Sequence, residues 1–198
     1  HILRVLVAEG LVHVDEAKRY ALGAGLQALA RGARQGTAFP LLAQPVLERV
    51  ASAWDVTALG VTIAGLEHMI VLAMSHSASP LRLHVDVGSR FPALISATGR
   101  LVAAYTEEPW SAVERRFRML RWDRPPSFAA WTKDVQAARR HGYSIDRGHY
   151  IAGVIVVAVP VLDGRGRMTH GLIAVGMADR LPAARRLELA HALAAEAD

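Results

Sequence analysis

The sequence contains no cysteine, which excludes disulfides, thiolate metal sites and a cysteine nucleophile while leaving the redox compartment open. Lysine is almost missing too: of 23 basic residues only Lys18 and Lys133 are lysines, and the rest are arginines. No apolar run approaches the roughly 18 to 20 residues that cross a bilayer, the strongest being VIVVAVPVL at 154–162. The opening residues show no charged region leading into an apolar one, so no secretory leader is read there. These absences predict a soluble, cytoplasmic protein without membrane attachment. Also missing are a serine in a nucleophile elbow, a glycine loop of phosphate-binding or dinucleotide spacing, and a histidine pair at ligand spacing on one helix. The nine histidines are scattered; the closest pair, His141 and His149, straddles a loop. No metal and no cofactor are expected. The one cluster with acid–base character, Asp146, His149 and Tyr150, falls in a polar loop that collects such residues without a catalytic reason, so the chain is not read as an enzyme.

What is present is ample apolar material. With 198 residues, 52% hydrophobic and 21% charged, the chain can bury one large domain, alone or with a small appendage. The net charge of +5 allows an anionic partner such as DNA. An arginine bias of this kind can equally reflect codon composition.

Along the chain, Ile2, Leu3, Leu6 and Val7 share a helix face, and Gly10 is placed for a left-handed cap. The helix reads as already under way at His1. LVHVD and RYALG follow as two short strands with a turn at Glu16, Ala17 and Lys18. A helix followed by a hairpin is how a winged helix-turn-helix ends, and also an ordinary corner of an α+β domain. GAGLQALARGARQG, rich in glycine, suits a linker helix, with a domain boundary near 32–36. A clearer helix covers FPLLAQPVLERVASAWD, with Pro45 in its first turn or kinking it. VTALGVTIAG, EHMIVLAMSHS and LRLHVDVG read as three antiparallel strands, and SATGRLVAAY as a helix entered from a loop.

Two helices are expected between Trp110 and Tyr143, separated by RPPS. SIDRGHYIAG reads as a polar loop, and VIVVAVPVL, DGRG and MTHGLIAVGM as a hairpin of strands apolar on both faces, which must be covered on both. A final amphipathic helix, PAARRLELAHALAAEA, has Pro182 at its start. The fold class is α+β, with five or six antiparallel strands packed by helices behind a small helix–hairpin unit. In VGSRFPALISATGR, the loop delivers Ser96, Ala97 and Thr98 into a helix start, whose free N–H groups can hold a carboxylate. Ser96 acting as a simple helix cap accounts for the same pattern.

Four of these stretches, ILRVLVAEGLVHVDEAKRYALG, VGSRFPALISATGR, GYSIDRGHYIAGVIVVAVPV and GLIAVGM, occur in the order in which the isocitrate lyase regulator (IclR) family of bacterial transcription factors carries them. Over essentially its full length the chain resembles that family. The resemblance implies the C-terminal part of a winged helix-turn-helix at 1–23, a linker helix at 24–36, and a GAF-like effector-binding domain at 37–198 with a mostly antiparallel six-stranded sheet. Two helices and the start of the recognition helix would then precede His1. Arg4, Lys18 and Arg19 would be phosphate contacts, which position a protein on DNA without reading sequence. The resemblance also implies dimers, often paired into tetramers, that bind operator DNA and answer to a small metabolite.

Carried over position by position, the family's effector pocket falls on Ser96, Ala97 and Thr98, on Asp146, on Val154 and Val156, and on Ile173 and Val175, with Asp146 and Thr98 as polar contacts. Members binding small hydrophilic acids usually have serines on the last strand and often a cysteine on the one before. Ile173, Val175 and Val156 replace them here, giving one aliphatic surface. A hydrophilic carboxylate would lose its water there at about 1 to 3 kcal/mol per unpaired group. The expectation is a repressor answering to a largely apolar or aromatic effector. Two alternatives stay open: a stand-alone GAF-like sensor that binds no DNA, and Ile173 and Val175 packing in a ligand-free core.

Overall fold

Runs of apolar residues long enough for eight- to ten-residue strands recur at Thr57–Ala64, His68–Ser75, Val154–Leu162 and Met168–Met177, and these build the sheet that organises most of the chain. The computed structural model describes residues 2–26, 38–77 and 85–197, which fall in two compact units, His1–Leu41 and Leu42–Asp198.

In the first unit, α1 (Ile2–Ala8) leads into β1 (Val12–Val14) and β2 (Tyr20–Leu22), an antiparallel pair with Val12 opposite Leu22. Gly10 takes φ +66° after the helix, and the Leu11 N–H donates to the Leu6 carbonyl at 2.9 Å. The turn carries Lys18 at φ +60°. Asp15 closes it, accepting from both the backbone N–H and the Nε of Arg19 at 2.8 Å. Those bonds hold the Asp15 carboxyl below its ordinary range. Ile2, Leu3 and Val5 are exposed. The linker helix expected at 24–36 lies almost wholly outside the described residues.

The second unit continues α2 (Phe39–Trp54), which begins in the first, with β3 (Thr57–Ala64), β4 (His68–Ser75), β5 (Arg90–Pro92), α3 (Ser96–Tyr105), α4 (Trp110–Phe117), α5 (Phe128–His141), β6 (Ser144–Arg147), β7 (Val154–Leu162), β8 (Met168–Met177) and α6 (Ala183–Ala197). The strand order is β5-β4-β3-β8-β7-β6, every pairing antiparallel. The α+β class and the six-stranded antiparallel sheet stand as expected.

Two local expectations are corrected and a third is narrowed. SIDR, read as loop, is the edge strand β6, too short and too polar to show a strand pattern. Of the strand expected at 81–88, residues 81–84 lie outside the described part and the rest is a turn, with Gly88 at φ +92°; the strand that pairs with β4 is Arg90–Pro92. Of the two alternatives for Pro45, the first turn is ruled out: it sits inside α2, and the helix runs on through it. The carbonyl that Pro45 leaves without a donor belongs to Leu41, an exposed residue where water can take the bond.

Consecutive residues of β7 are buried, Val154 through Val159, so both sheet faces are covered. Val154, Val156 and Ala158 join Leu59, Val61, Ile173, Val175 and Leu101 in one core cluster on the α3 side. The alternation turns Ile155, Val157 and Val159 to the other face, and α6 packs against β7. An Arg49–Glu196 ion pair at 2.6 Å ties α2 to α6. A satellite core of Phe117, Phe128 and Trp131 fastens α4 to α5, with the Phe117 and Trp131 rings 4.8 Å apart. Helix α5 is well delimited: the Ser127 hydroxyl accepts from the Ala130 N–H, and Gly142 at φ +73° closes the other end.

Gly99 sets how closely α3 can approach the segment before it. A Cβ at that position would stand 1.9 Å from the Leu94 carbonyl carbon, a backbone atom that cannot swing away. Gly99→Ala is therefore expected to destabilise the protein by at least about 2 kcal/mol. Urea unfolding would show this as a lowered midpoint at constant slope; an unchanged midpoint would mean that α3 can shift freely.

Candidate functional site

The α3-facing side of the sheet is lined by branched aliphatics in register. Val156 of β7 lies opposite Val175 of β8, and Ile173 lies opposite Leu59 of β3. Together with Val154 and Val61 they form the floor of a cavity of about 80 Å³. Ile95, Ser96 and Thr98 close it from the start of α3, and Tyr150, Ile151 and Phe91 close it from the loops and β5. The surface exposed to this cavity is wholly apolar. The Tyr150 phenol is pushed above its ordinary pKa by burial and by the charge of Asp123, so it stays neutral.

Of the eight positions expected to bind an effector, Ser96, Thr98, Val154, Val156, Ile173 and Val175 border this one cavity. Ala97 is fully buried without reaching its wall, and Asp146 lies behind it. Sequence reasoning missed Leu59, Val61, Met69, Val85, Phe91, Ile95, Tyr150 and Ile151. The β3 residues were within reach, since Leu59 and Val61 share a strand face. Tyr150 lies only four residues beyond Asp146, but in the sequence it stands out for acid–base chemistry alone.

Asp146 is 1% exposed and fully engaged. Its Oδ2 accepts from the Ser96 hydroxyl and from the Tyr150 N–H, both at 3.0 Å. Its Oδ1 accepts from the His149 N–H at 3.2 Å, meets His149 Nδ1 at 3.0 Å, and lies 3.6 Å from Arg100 Nη2. The Asp146 contact calls for the tautomer with the proton on Nδ1, and in that tautomer the 3.4 Å approach of Arg100 Nη2 to the same nitrogen is not a hydrogen bond. Arg100, itself 1% exposed, donates from Nη1 to the Ser96 carbonyl at 3.1 Å and from Nε to Asp134 at 3.2 Å. A carboxylate with this many donors organises the loop and the start of α3. It offers no lone pair to the apolar cavity, and with His149 it forms a structural cluster.

Among the described residues no group of three or more histidines and carboxylates could hold a metal ion. No described helix is long and apolar enough to cross a membrane. In the first unit Arg4, Lys18 and Arg19 are all exposed, and Arg19 is already paired with Asp15.

Ser96 does not cap α3. Ile95 occupies the cap position without a side-chain bond, and Ser96 takes φ +59°, a strained conformation for a residue with a Cβ. The bond from its hydroxyl to a buried carboxylate offsets that strain. Ser96→Ala keeps the strain and loses the bond, with an expected cost of about 2 kcal/mol. Ser96→Gly loses the bond but relieves the backbone, and should cost about 1 kcal/mol less. Chemical denaturation of the two variants checks the order, and a glycine variant less stable than the alanine one would sink this account.

A family model described as the bacterial transcriptional regulator IclR C-terminal domain matches residues 39–198. Among solved structures, an IclR transcriptional regulator from Alicyclobacillus acidocaldarius is 28% identical, with a TM-score of 0.80, over 99% of this chain and 80% of that one. The Thermotoga maritima IclR is 17% identical with a TM-score of 0.75, over 98% of this chain and 80% of that one. The Agobacterium tumefaciens repressor BlcR is 16% identical with a TM-score of 0.68, over 99% and 79% of the two chains. A search of curated proteins finds no match. The matched span takes in the whole six-stranded sheet and every wall of the apolar cavity, and on that ground the chain belongs to the IclR family of bacterial transcriptional regulators.

Proposed function

We propose that this IclR-family protein is a repressor whose affinity for operator DNA is set by a small, largely apolar effector, an aromatic acid being the best fit, held between α3 and the β7–β8 face. The wholly apolar wall formed by Val154, Val156, Ile173 and Val175 carries the reading. A short oxo-acid would give up water to that wall with nothing in return, whereas a ring gains from its burial. The present cavity surface offers no donor, so the acid group of such a ligand would meet the leading N–H groups of α3, which have no earlier helical carbonyl to take them, only once side chains have moved.

At about 80 Å³ the cavity is smaller than the roughly 150 Å³ void known to admit benzene. An aromatic effector therefore enters by displacing side chains, Tyr150 and Ile151 being the ones held on a loop. Regulators of this family bind DNA and effectors and are typically oligomeric, which supports the DNA-binding role given to Arg4, Lys18 and Arg19. The repressor assignment draws on the structural likeness to BlcR. Filling the cavity would act by linkage, shifting operator affinity by a coupling of about 1 to 3 kcal/mol.

Titration of the protein with benzoate, pyruvate and glyoxylate, followed by melting temperature, is the direct test. Benzoate should stabilise it most, and Val175→Ser should weaken benzoate binding by about tenfold. Pyruvate or glyoxylate stabilising it more than benzoate would overturn the effector class. Selection of DNA fragments by the full-length protein, repeated with benzoate, tests the rest: fragments retained and then released fit a repressor, and no retention at all would leave a sensor that acts without DNA.

A further inference from the structure

A second cavity, about 370 Å³ in volume, lies between α5, β6 and the start of α6 and shares no wall residue with the apolar one. Its character is opposite. Arg100, Arg147 and Arg186 line it against a single carboxylate, Asp134. Arg100 is spent on Asp134 and on the buried Asp146 behind it. Three guanidiniums against these two carboxylates leave one positive charge in excess, with His141 and His149 on the wall able only to add to it.

The two remaining guanidiniums are differently prepared. Arg147 stands exposed on the edge strand, on the same face as Ile145, and has no ion-pair partner among the described residues. Arg186 is anchored, donating from Nε to the Leu181 carbonyl and from Nη2 to the Ala178 carbonyl at 3.5 Å, which leaves Nη1 unused. Ala183 opens α6 on the same wall and brings the positive end of a fifteen-residue helix. Ile145 and Leu187 supply apolar surface beside these charges.

We propose that this cavity is a second ligand site, taking a compact organic anion whose oxyanion group is gripped by Arg147 and Arg186. Guanidinium recognises carboxylate and phosphate oxygens by the same paired N–H geometry. The volume holds a metabolite-sized body and exceeds what a bare inorganic ion needs. The site stands whether or not the apolar cavity takes an effector.

The test uses the whole chain, titrated calorimetrically with potassium phosphate and with potassium succinate, with potassium chloride holding the ionic strength constant. Saturable heat with either probe is expected; preference for phosphate points to a phosphate ester as the natural ligand, and preference for succinate to a carboxylate. Arg147→Gln should weaken the favoured probe about tenfold, the loss of one charge-assisted contact, and Arg147→Lys should fall between. Arg186→Gln also removes the bonds to Leu181 and Ala178, so Arg147 on the exposed strand is the residue to rely on. Heat no greater than that of chloride, or affinity unchanged in Arg147→Gln, would overturn the site. Benzoate binding should be the same in Arg147→Gln as in the unaltered protein, so failure of the apolar reading and failure of this one are told apart.

Discussion

A carboxylate taken out of water must be met by donors, and Asp146 meets five in protein: a serine hydroxyl from the start of α3, the two backbone amides of His149 and Tyr150, the His149 ring Nδ1–H, and a buried arginine one helical turn beyond the serine. The desolvation of such a charge costs several kcal/mol when it is unpaired. Its burial thus dictates where three segments lie. β6 must present residue 146 inward, the loop must fold back so that the amides of His149 and Tyr150 point at it, and α3 must begin where Ser96 can reach. The left-handed backbone of Ser96 is the strain accepted to make that reach. Gly99, three residues on, permits the helix to lie against Leu94 in the same position.

The network also separates two environments. Ser96 borders the apolar cavity, Arg100 borders the charged one, and Asp146 contacts both residues. Arg100 is bound to Asp146, Asp134 and the Ser96 carbonyl, and it does not line the apolar space. The buried polar cluster touches the apolar wall through Ser96 and the guanidinium wall through Arg100. Helix α3 is where they meet, its first residue bordering one space and its fifth the other.

Much of this frame was legible in the sequence. Apolar runs without alternation announced β7 and β8 as strands covered on both faces, and the choice of Ile173 and Val175 predicted an aliphatic wall. The rest hid for identifiable reasons. β6 carries Ser, Asp and Arg in four residues, so its strand character rests on pairing with β7 and on the burial of Asp146, neither of which is local. Arg100 reads as one more surface arginine, because the partners that allow its burial lie 34 and 46 residues away in Asp134 and Asp146. Ser96 was read as either a cap or a ligand contact, and a hydroxyl turned toward a carboxylate fifty residues on was not foreseeable from helix-start rules. The charged cavity draws its walls from α3, α5, β6, α6 and a loop, and no single stretch of sequence carries its outline.

The small size of the apolar cavity constrains how a ligand there could act. A ligand changes an equilibrium only by favouring one arrangement over another, so a molecule that merely filled the present space would transmit little. A larger molecule must move something. The sheet floor is packed on both faces, and the start of α3 is held by Asp146, which leaves Tyr150 and Ile151 as the yielding part of the wall. Their loop is bracketed by Gly148 and Gly153, at φ +82° and +80°, conformations that a side chain would oppose. Yet the N–H of Tyr150 is bonded to Asp146, so the backbone at that point resists and the phenol ring must turn first. Displacement beyond a ring rotation would pull on Asp146, and through it on Ser96 and Arg100. The same carboxylate that builds the site is therefore the place where filling it would first be felt.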